Sequence, residues 1–167
     1  VLGNHDARML QVWDEAARGA GASTHHQAVR ALGTDPAVRA WLQGLPLILE
    51  APRWIVVHGG LHPQSGLEGT GRAACLNLRR WPDDRSESNP FWWEAWPECA
   101  GRAERRTVVY GHDAVRGLQD RRPATLGLDS GCVYGGSLTG WIPEQDRILQ
   151  VPAKKVWTQP VGQRWEL

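Results

Sequence analysis

The chain has 167 residues, a size at which one domain buries roughly two-thirds of its unfolded surface. Lys and Arg total 19 against 18 Asp and Glu, a net charge of +1, which leaves no overall electrostatic case for nucleic acid or a polybasic membrane contact. Apolar residues at 41% and charged residues at 22% exclude a disordered chain, and no apolar run approaches the roughly 18 residues of a membrane span.

The chain opens on Val1-Leu2, which reads as the end of a buried strand, followed by a loop, Gly3-Asn4-His5-Asp6. Such a start looks like a strand cut in its middle, so the chain is read as the carboxyl-terminal part of a longer protein. Over residues 7–20 the apolar positions Met9, Leu10, Val12, Trp13, Ala16 and Ala17 recur at helical spacing. Residues 25–32 suit a second short helix, with His25 and His26 in a polar surface stretch. Asp35-Pro36 is an N-cap followed by proline at the first helical position, which starts a third helix running to Gln43. The period then changes: residues 47–50 and 53–57 read as a β-hairpin turning at Ala51-Pro52.

Residues 59–71 are loop-like, 72–80 suit a weak helix, and 82–101 form an irregular insertion rich in Pro, Asp, Ser and Trp. Residues 107–110 are another apolar strand. After them strand-like stretches alternate with turns, at 124–128, 132–134, 137–142 and 147–151. Helical material first and a β-rich end afterwards predict a layered α/β domain with β-sheets at its core. The expected limits are a domain over residues 1–153 and a polar tail over 154–167, which holds Trp157 and Trp165.

Three loops share one pattern, a short apolar strand followed by a histidine crowded by glycine. They are Val1-Leu2-Gly3-Asn4-His5-Asp6, Val56-Val57-His58-Gly59-Gly60 and Val109-Tyr110-Gly111-His112-Asp113. Strand ends of an α/β sheet open at one edge, where ligands gather. On pattern alone these histidines fit either metal ligands or ordinary hydrogen-bonding loop residues. His62 reads as structural. Cys75, Cys99 and Cys132 show no C-x-x-C spacing, which argues against a disulfide framework and fits a reducing, cytoplasmic compartment.

Gly3-Asn4-His5-Asp6 resembles the GNH[DE] block of the calcineurin-like metallophosphoesterases, His58-Gly59-Gly60-Leu61-His62-Pro63 their HGGLxP block, and Tyr110-Gly111-His112 their final GH block, in the same order. Within that superfamily, Tyr110-Gly111-His112-Asp113-Ala114 and Gly127-Leu128-Asp129-Ser130-Gly131-Cys132-Val133-Tyr134-Gly135-Gly136 are similar to the ApaH-like phosphatases. Those are relatives of symmetrical diadenosine tetraphosphatase and of the phosphoprotein phosphatases. The resemblance implies an α/β/β/α-type layered fold, a β-sandwich flanked by helices and truncated here at its amino end.

The resemblance also implies roles. Asn4, His58 and His112 match the ligands of one of two divalent metals. His5 matches the histidine that protonates the leaving alkoxide, with Asp6 orienting it. Arg79 and Arg80 match a segment that points toward substrate phosphate, and Asp129 to Cys132 read as a supporting turn. The family's GDxHG and GDxxDRG blocks, which supply the first metal's ligands, have no counterpart here. Asp14, Asp35 and the Asp83-Asp84 pair lack the strand–Gly–Asp context. The resemblance therefore implies half a site, with hydrolysis belonging to a full-length form and this stretch inactive alone.

The chemistry suits the residues. Two metals about 3.5–4 Å apart clamp the attacking and leaving oxygens of phosphoryl transfer. A mixed set of imidazole nitrogen and amide or carboxylate oxygen favours manganese, iron or zinc. An ordinary histidine pKa of about 6.5 lets such a group hold a proton near neutral pH, and arginine grips phosphate oxygens in a bidentate fork. The expected substrates are a phosphorylated small molecule, a nucleotide such as a dinucleoside polyphosphate, or a phosphoprotein, with no nucleic acid and no membrane partner. Two rivals stand beside this reading: a protein serine/threonine phosphatase, and a binding module that keeps the fold without the chemistry. Trp92, Trp93 and Trp96 fit a hydrophobic anchor for the insertion, with nucleobase stacking as the alternative. Trp13, Trp41, Trp54 and Trp141 are expected in the core.

Overall fold

The computed structural model describes residues 1–83, 85–99 and 104–159. Trp165 and the last residues of the insertion and of the tail lie outside them. Three helices come first: α1 (Asn4–Ala17), α2 (Thr24–Ala31) and α3 (Pro36–Gln43). Then follow β1 (Ile48–Glu50), β2 (Trp54–Val57), α4 (Arg72–Asn77), α5 (Trp92–Ala95), β3 (Thr107–Tyr110), β4 (Gln119–Arg121), β5 (Thr125–Gly127), β6 (Ser137–Ile142) and β7 (Arg147–Pro152). The first five strands make one sheet in the order β1-β2-β3-β5-β4, and β6 and β7 pair as a separate antiparallel hairpin. The middle of the large sheet is parallel, β2 beside β3 beside β5, with β1 and β4 running antiparallel at its edges. Among the described residues no helix is long and apolar enough to cross a membrane.

The core explains why the central strands read as continuous apolar runs. All four residues of β3 are buried, as expected for a strand covered on both faces, while in β2 Ile55 and Val57 are buried at 0% and 1% exposure and Trp54 and Val56 are half-buried. One large cluster joins Ile55, Val57, Val108 and Tyr110 of the sheet to Leu61, Cys75, Trp92, Trp93 and Trp96. The three tryptophans are almost wholly buried and pack edge-on or stacked against one another and Tyr110. They anchor the insertion and leave no ring face for a nucleobase. A second cluster, Val12, Trp13, Ala16, Val29 and Leu42, binds the three helices together.

Several expectations need correction. Gly3 to Asp6 is not a loop, because α1 begins at Asn4. The extended Gly3 donates its backbone N–H to Asp6 Oδ2 at 2.9 Å, the acidic half of a capping box that works without a capping hydroxyl. Leu2 is buried, but it is held by a single bond to the Pro46 carbonyl at 2.8 Å rather than by a strand. Cys132–Tyr134 is a 3-10 turn between Gly131 and Gly135, both left-handed at φ 69° and 96°, a conformation that costs glycine nothing. Trp41 is 64% exposed because α3 turns Leu42, not Trp41, toward the helical cluster. Trp54 and Trp141 are only half-buried. Tail residues Trp157 and Thr158 donate their backbone N–H groups to the Val133 carbonyl, at 3.0 and 3.2 Å.

Candidate active site

The parallel pairing of β2 with β3 places their carboxyl ends side by side. His58 follows β2 directly, and its carbonyl accepts the Gly111 N–H at 3.0 Å, so His112 emerges just beyond it. The two imidazole centroids lie 5.1 Å apart at 63°. α1 reaches the same edge from the other side, and Asn4, its first residue, puts Oδ1 2.9 Å from His58 Nε2. The positive end of a helix thus points into the site. Gly59 packs the following loop onto the end of α4: an added Cβ would sit 2.7 Å from the Asn77 nitrogen. That contact brings Asn77 and Arg79 to the cleft.

His112 is the most constrained member. Its φ of 72° is left-handed, which costs a non-glycine residue about 1–3 kcal/mol and persists only where its surroundings enforce it. One ring nitrogen hydrogen-bonds the Asn77 backbone, while Nε2 is buried with no hydrogen-bond partner. Burial, then the nearby Arg79 and His58, push its pKa down to about 3. Burial also lowers the His58 pKa, against the opposing charges of Asp129 and Asp6. Both rings are therefore neutral near pH 7.

A cavity of about 400 Å3 opens here, lined among others by Asn4, His5, His58, Arg79, His112 and Asp129. Arg79 is oriented by Asp113, a carboxylate only 8% exposed that lies 3.7 Å from Arg79 Nε and 3.7 Å from Arg116 Nε. Burial raises the Asp113 pKa, and Arg79 and Arg116 oppose the rise. Arg80 is placed differently. Its guanidinium lies over the Phe91 ring, 4.4 Å from the centroid, donates to the Asn89 carbonyl, and does not line the cavity. Asp6 does not line it either, being engaged with Gly3.

His5 is exposed at the cavity rim, and its Nδ1 lies 3.2 Å from Nε2 of His25. His25, read from its polar stretch as a surface residue, is thus a partner of His5. α2 delivers it, because Ser23 caps that helix and His26 contacts Glu15 of α1 at 3.0 Å. Asp129 and Asp113 also border the site, although neither stands out by spacing.

Neutral His58 and His112 with the Asn4 amide fit a divalent cation. The 2.9 Å between Asn4 Oδ1 and His58 Nε2 is close to the separation of two ligands each about 2.1 Å from one ion at a right angle. The orphaned His112 Nε2 would be the third donor, and the other ring nitrogen's bond to the Asn77 backbone favours the tautomer that leaves this lone pair open. Among the described residues no group of three His, Cys, Asp or Glu side chains forms a cluster able to hold a metal. The fit therefore rests on the asparagine.

No family model matches the chain. A curated symmetrical bis(5'-nucleosyl)-tetraphosphatase from Aromatoleum aromaticum is 28% identical, over 93% of this chain and 76% of that protein. The protein of the same name from Methylobacillus flagellatus is 27% identical, over 91% of this chain and 73% of its own length. A crystal structure assigned provisionally as a diadenosine tetraphosphatase superposes with a TM-score of 0.74 at 30% identity, covering 92% of this chain and 67% of the other. The chain belongs to the ApaH-like metallophosphoesterases. These are hydrolases, and the mixed sheet with a parallel centre and flanking helices is the metallophosphoesterase fold.

For this metallophosphoesterase, acid should destabilise the metal-free form in a definite window. His112 binds its proton at about pH 6.5 unfolded but only near 3 folded. Between those values the unfolded chain holds the extra proton, so stability present above pH 6.5 is lost as pH falls toward 3. With EDTA present, melting temperature should drop from pH 7 to pH 4, and His112→Asn should flatten that drop. Parallel curves for the two proteins would show that His112 is not the group responsible.

Proposed function

We propose that this metallophosphoesterase hydrolyses a phosphoanhydride bond of a dinucleoside polyphosphate in the cytoplasm. Asn4, His58 and His112 hold one divalent cation, with manganese, iron or zinc as the candidates. The observation that carries the reading is the convergence of Asn4 Oδ1 and His58 Nε2, 2.9 Å apart, beside the orphaned His112 Nε2. When bound, the cation supplies Lewis-acid neutralisation of the phosphoryl oxygens. Arg79 grips the same phosphate through its guanidinium fork, with Asp113 holding that guanidinium from behind. His5 stands at the rim to protonate the departing oxygen. Arg80 steadies the neighbouring loop through Phe91 and Asn89 instead of touching phosphate. Relatives named symmetrical bis(5'-nucleosyl)-tetraphosphatase support the nucleotide substrate.

The rival reading is a binding module of the same fold without chemistry. The test assays diadenosine tetraphosphate, a phosphopeptide and inorganic polyphosphate side by side with manganese. Hydrolysis of the first, with ADP as product, is the expected result. Preference for the phosphopeptide would make the protein a phosphoprotein phosphatase, and turnover of none would favour the binding module.

A further inference from the structure

A second cavity, of about 330 Å3, adjoins the first at Asn4 and His5. The two cavities share Asn4 and His5 as their common wall. Arg8, Gln11, His25 and Asn77 line the second one, and among the described residues no carboxylate does. The Arg8 guanidinium is held against this wall by Gln11, whose Oε1 accepts from Nη1 at 2.8 Å. That bond uses one of five N–H donors. His25 stands beside His5 at 3.2 Å, on the second cavity's side of that wall.

We propose that this second cavity binds the departing nucleoside diphosphate, with Arg8 and His25 contacting its phosphates. The inference rests on the hydrolase reading above. A general acid must lie within hydrogen-bond reach of the oxygen that leaves. His58, His112 and Arg79 line only the first cavity, so a leaving group whose oxygen meets His5 extends past it into the second. Symmetrical cleavage of a dinucleoside tetraphosphate places a diphosphate on each side of the broken bond, so the leaving side also needs cationic and hydrogen-bonding groups free of carboxylate repulsion. The volume is at the small end of ligand pockets, enough for phosphates and a sugar.

The test titrates ADP calorimetrically into the whole protein with EDTA present, so that no cation contributes. Wild type should bind ADP more tightly than adenosine. Arg8→Gln and His25→Ala should each weaken ADP about tenfold, the effect of one lost charge-assisted hydrogen bond. In turnover, both variants should lose more kcat/KM on diadenosine tetraphosphate than on p-nitrophenyl phosphate, whose leaving group carries no phosphate. ADP affinity unchanged in both variants would overturn the subsite, even if diadenosine tetraphosphate is still cleaved. ADP binding lost in both variants, in a protein that cleaves no phosphoanhydride, would support the subsite and sink the hydrolase reading alone.

Discussion

Replacing His58 with alanine should leave the protein unable to retain a divalent cation at this site. Losing a group that merely orients a metal ligand costs about 10–100-fold in affinity, so losing the ligand itself should exceed about 100-fold. Elemental analysis after gel filtration should then show wild type carrying the metal and the variant nearly devoid of it. His112 needs a different substitution. Its φ of 72° would strain alanine, whereas asparagine enters the left-handed region several times more readily than most residues. His112→Asn therefore removes the imidazole while keeping the backbone path, and circular dichroism can confirm the fold. Asn4→Ala should also weaken the metal, since the amide is the oxygen donor. Unchanged metal content in both histidine variants would remove them as ligands. Asp6→Asn offers a contrast, because its carboxylate serves the start of α1. Its principal effect should be on stability.

Substituting His5 with alanine should spare the metal and slow turnover, by an amount that depends on the leaving group. General acids contribute typically about 10²–10⁴-fold. That benefit is greatest where the departing oxygen is strongly basic, as in an alkyl phosphate. A departing phosphate is different: its second pKa is about 6, so near neutral pH it leaves largely without an added proton. The His5→Ala loss should therefore be largest on an alkyl phosphomonoester and much smaller on p-nitrophenyl phosphate and diadenosine tetraphosphate. Equal losses on all three would exclude proton donation and leave His5 a binding or structural role. Since His25 contacts His5 Nδ1 at 3.2 Å, His25→Ala should reproduce part of this pattern through a misplaced His5 ring.

The parts of this fold legible from residues alone are those with local signals. Asp35-Pro36 announces α3, and the Asp35 carboxylate does accept the Ala37 N–H at 2.8 Å. The apolar runs of β2 and β3 are readable because β3 is buried on both faces and β2 is buried on one and half-buried on the other. By contrast, β4 is Gln-Asp-Arg, a three-residue edge strand paired with β5; it has no apolar side-chain pattern to read. The early start of α1 was hidden because its cap is a reciprocal Asp6 bond on a glycine.

The same division holds at the site. Asn4, His5, His58 and His112 stand out through their glycine-flanked motifs, but only the parallel pairing of β2 with β3 makes two of those loops neighbours. His25 has no motif. It reaches His5 because α2 folds back along α1, a consequence of the Val12, Trp13 and Val29 packing. Arg79 and Arg80 are adjacent in sequence and differ only in their surroundings, Asp113 being buried beside the first and the Phe91 ring lying under the second.

The central claim is that one amide oxygen and two imidazole nitrogens, from three separate elements, share a single cation. Anomalous diffraction from crystals grown with manganese or zinc tests it directly. The account predicts one peak about 2.1 Å from each of Asn4 Oδ1, His58 Nε2 and His112 Nε2. A peak that contacts other residues, or metal-rich crystals with Asn4 still bonded to His58 and no peak between them and His112, would contradict it.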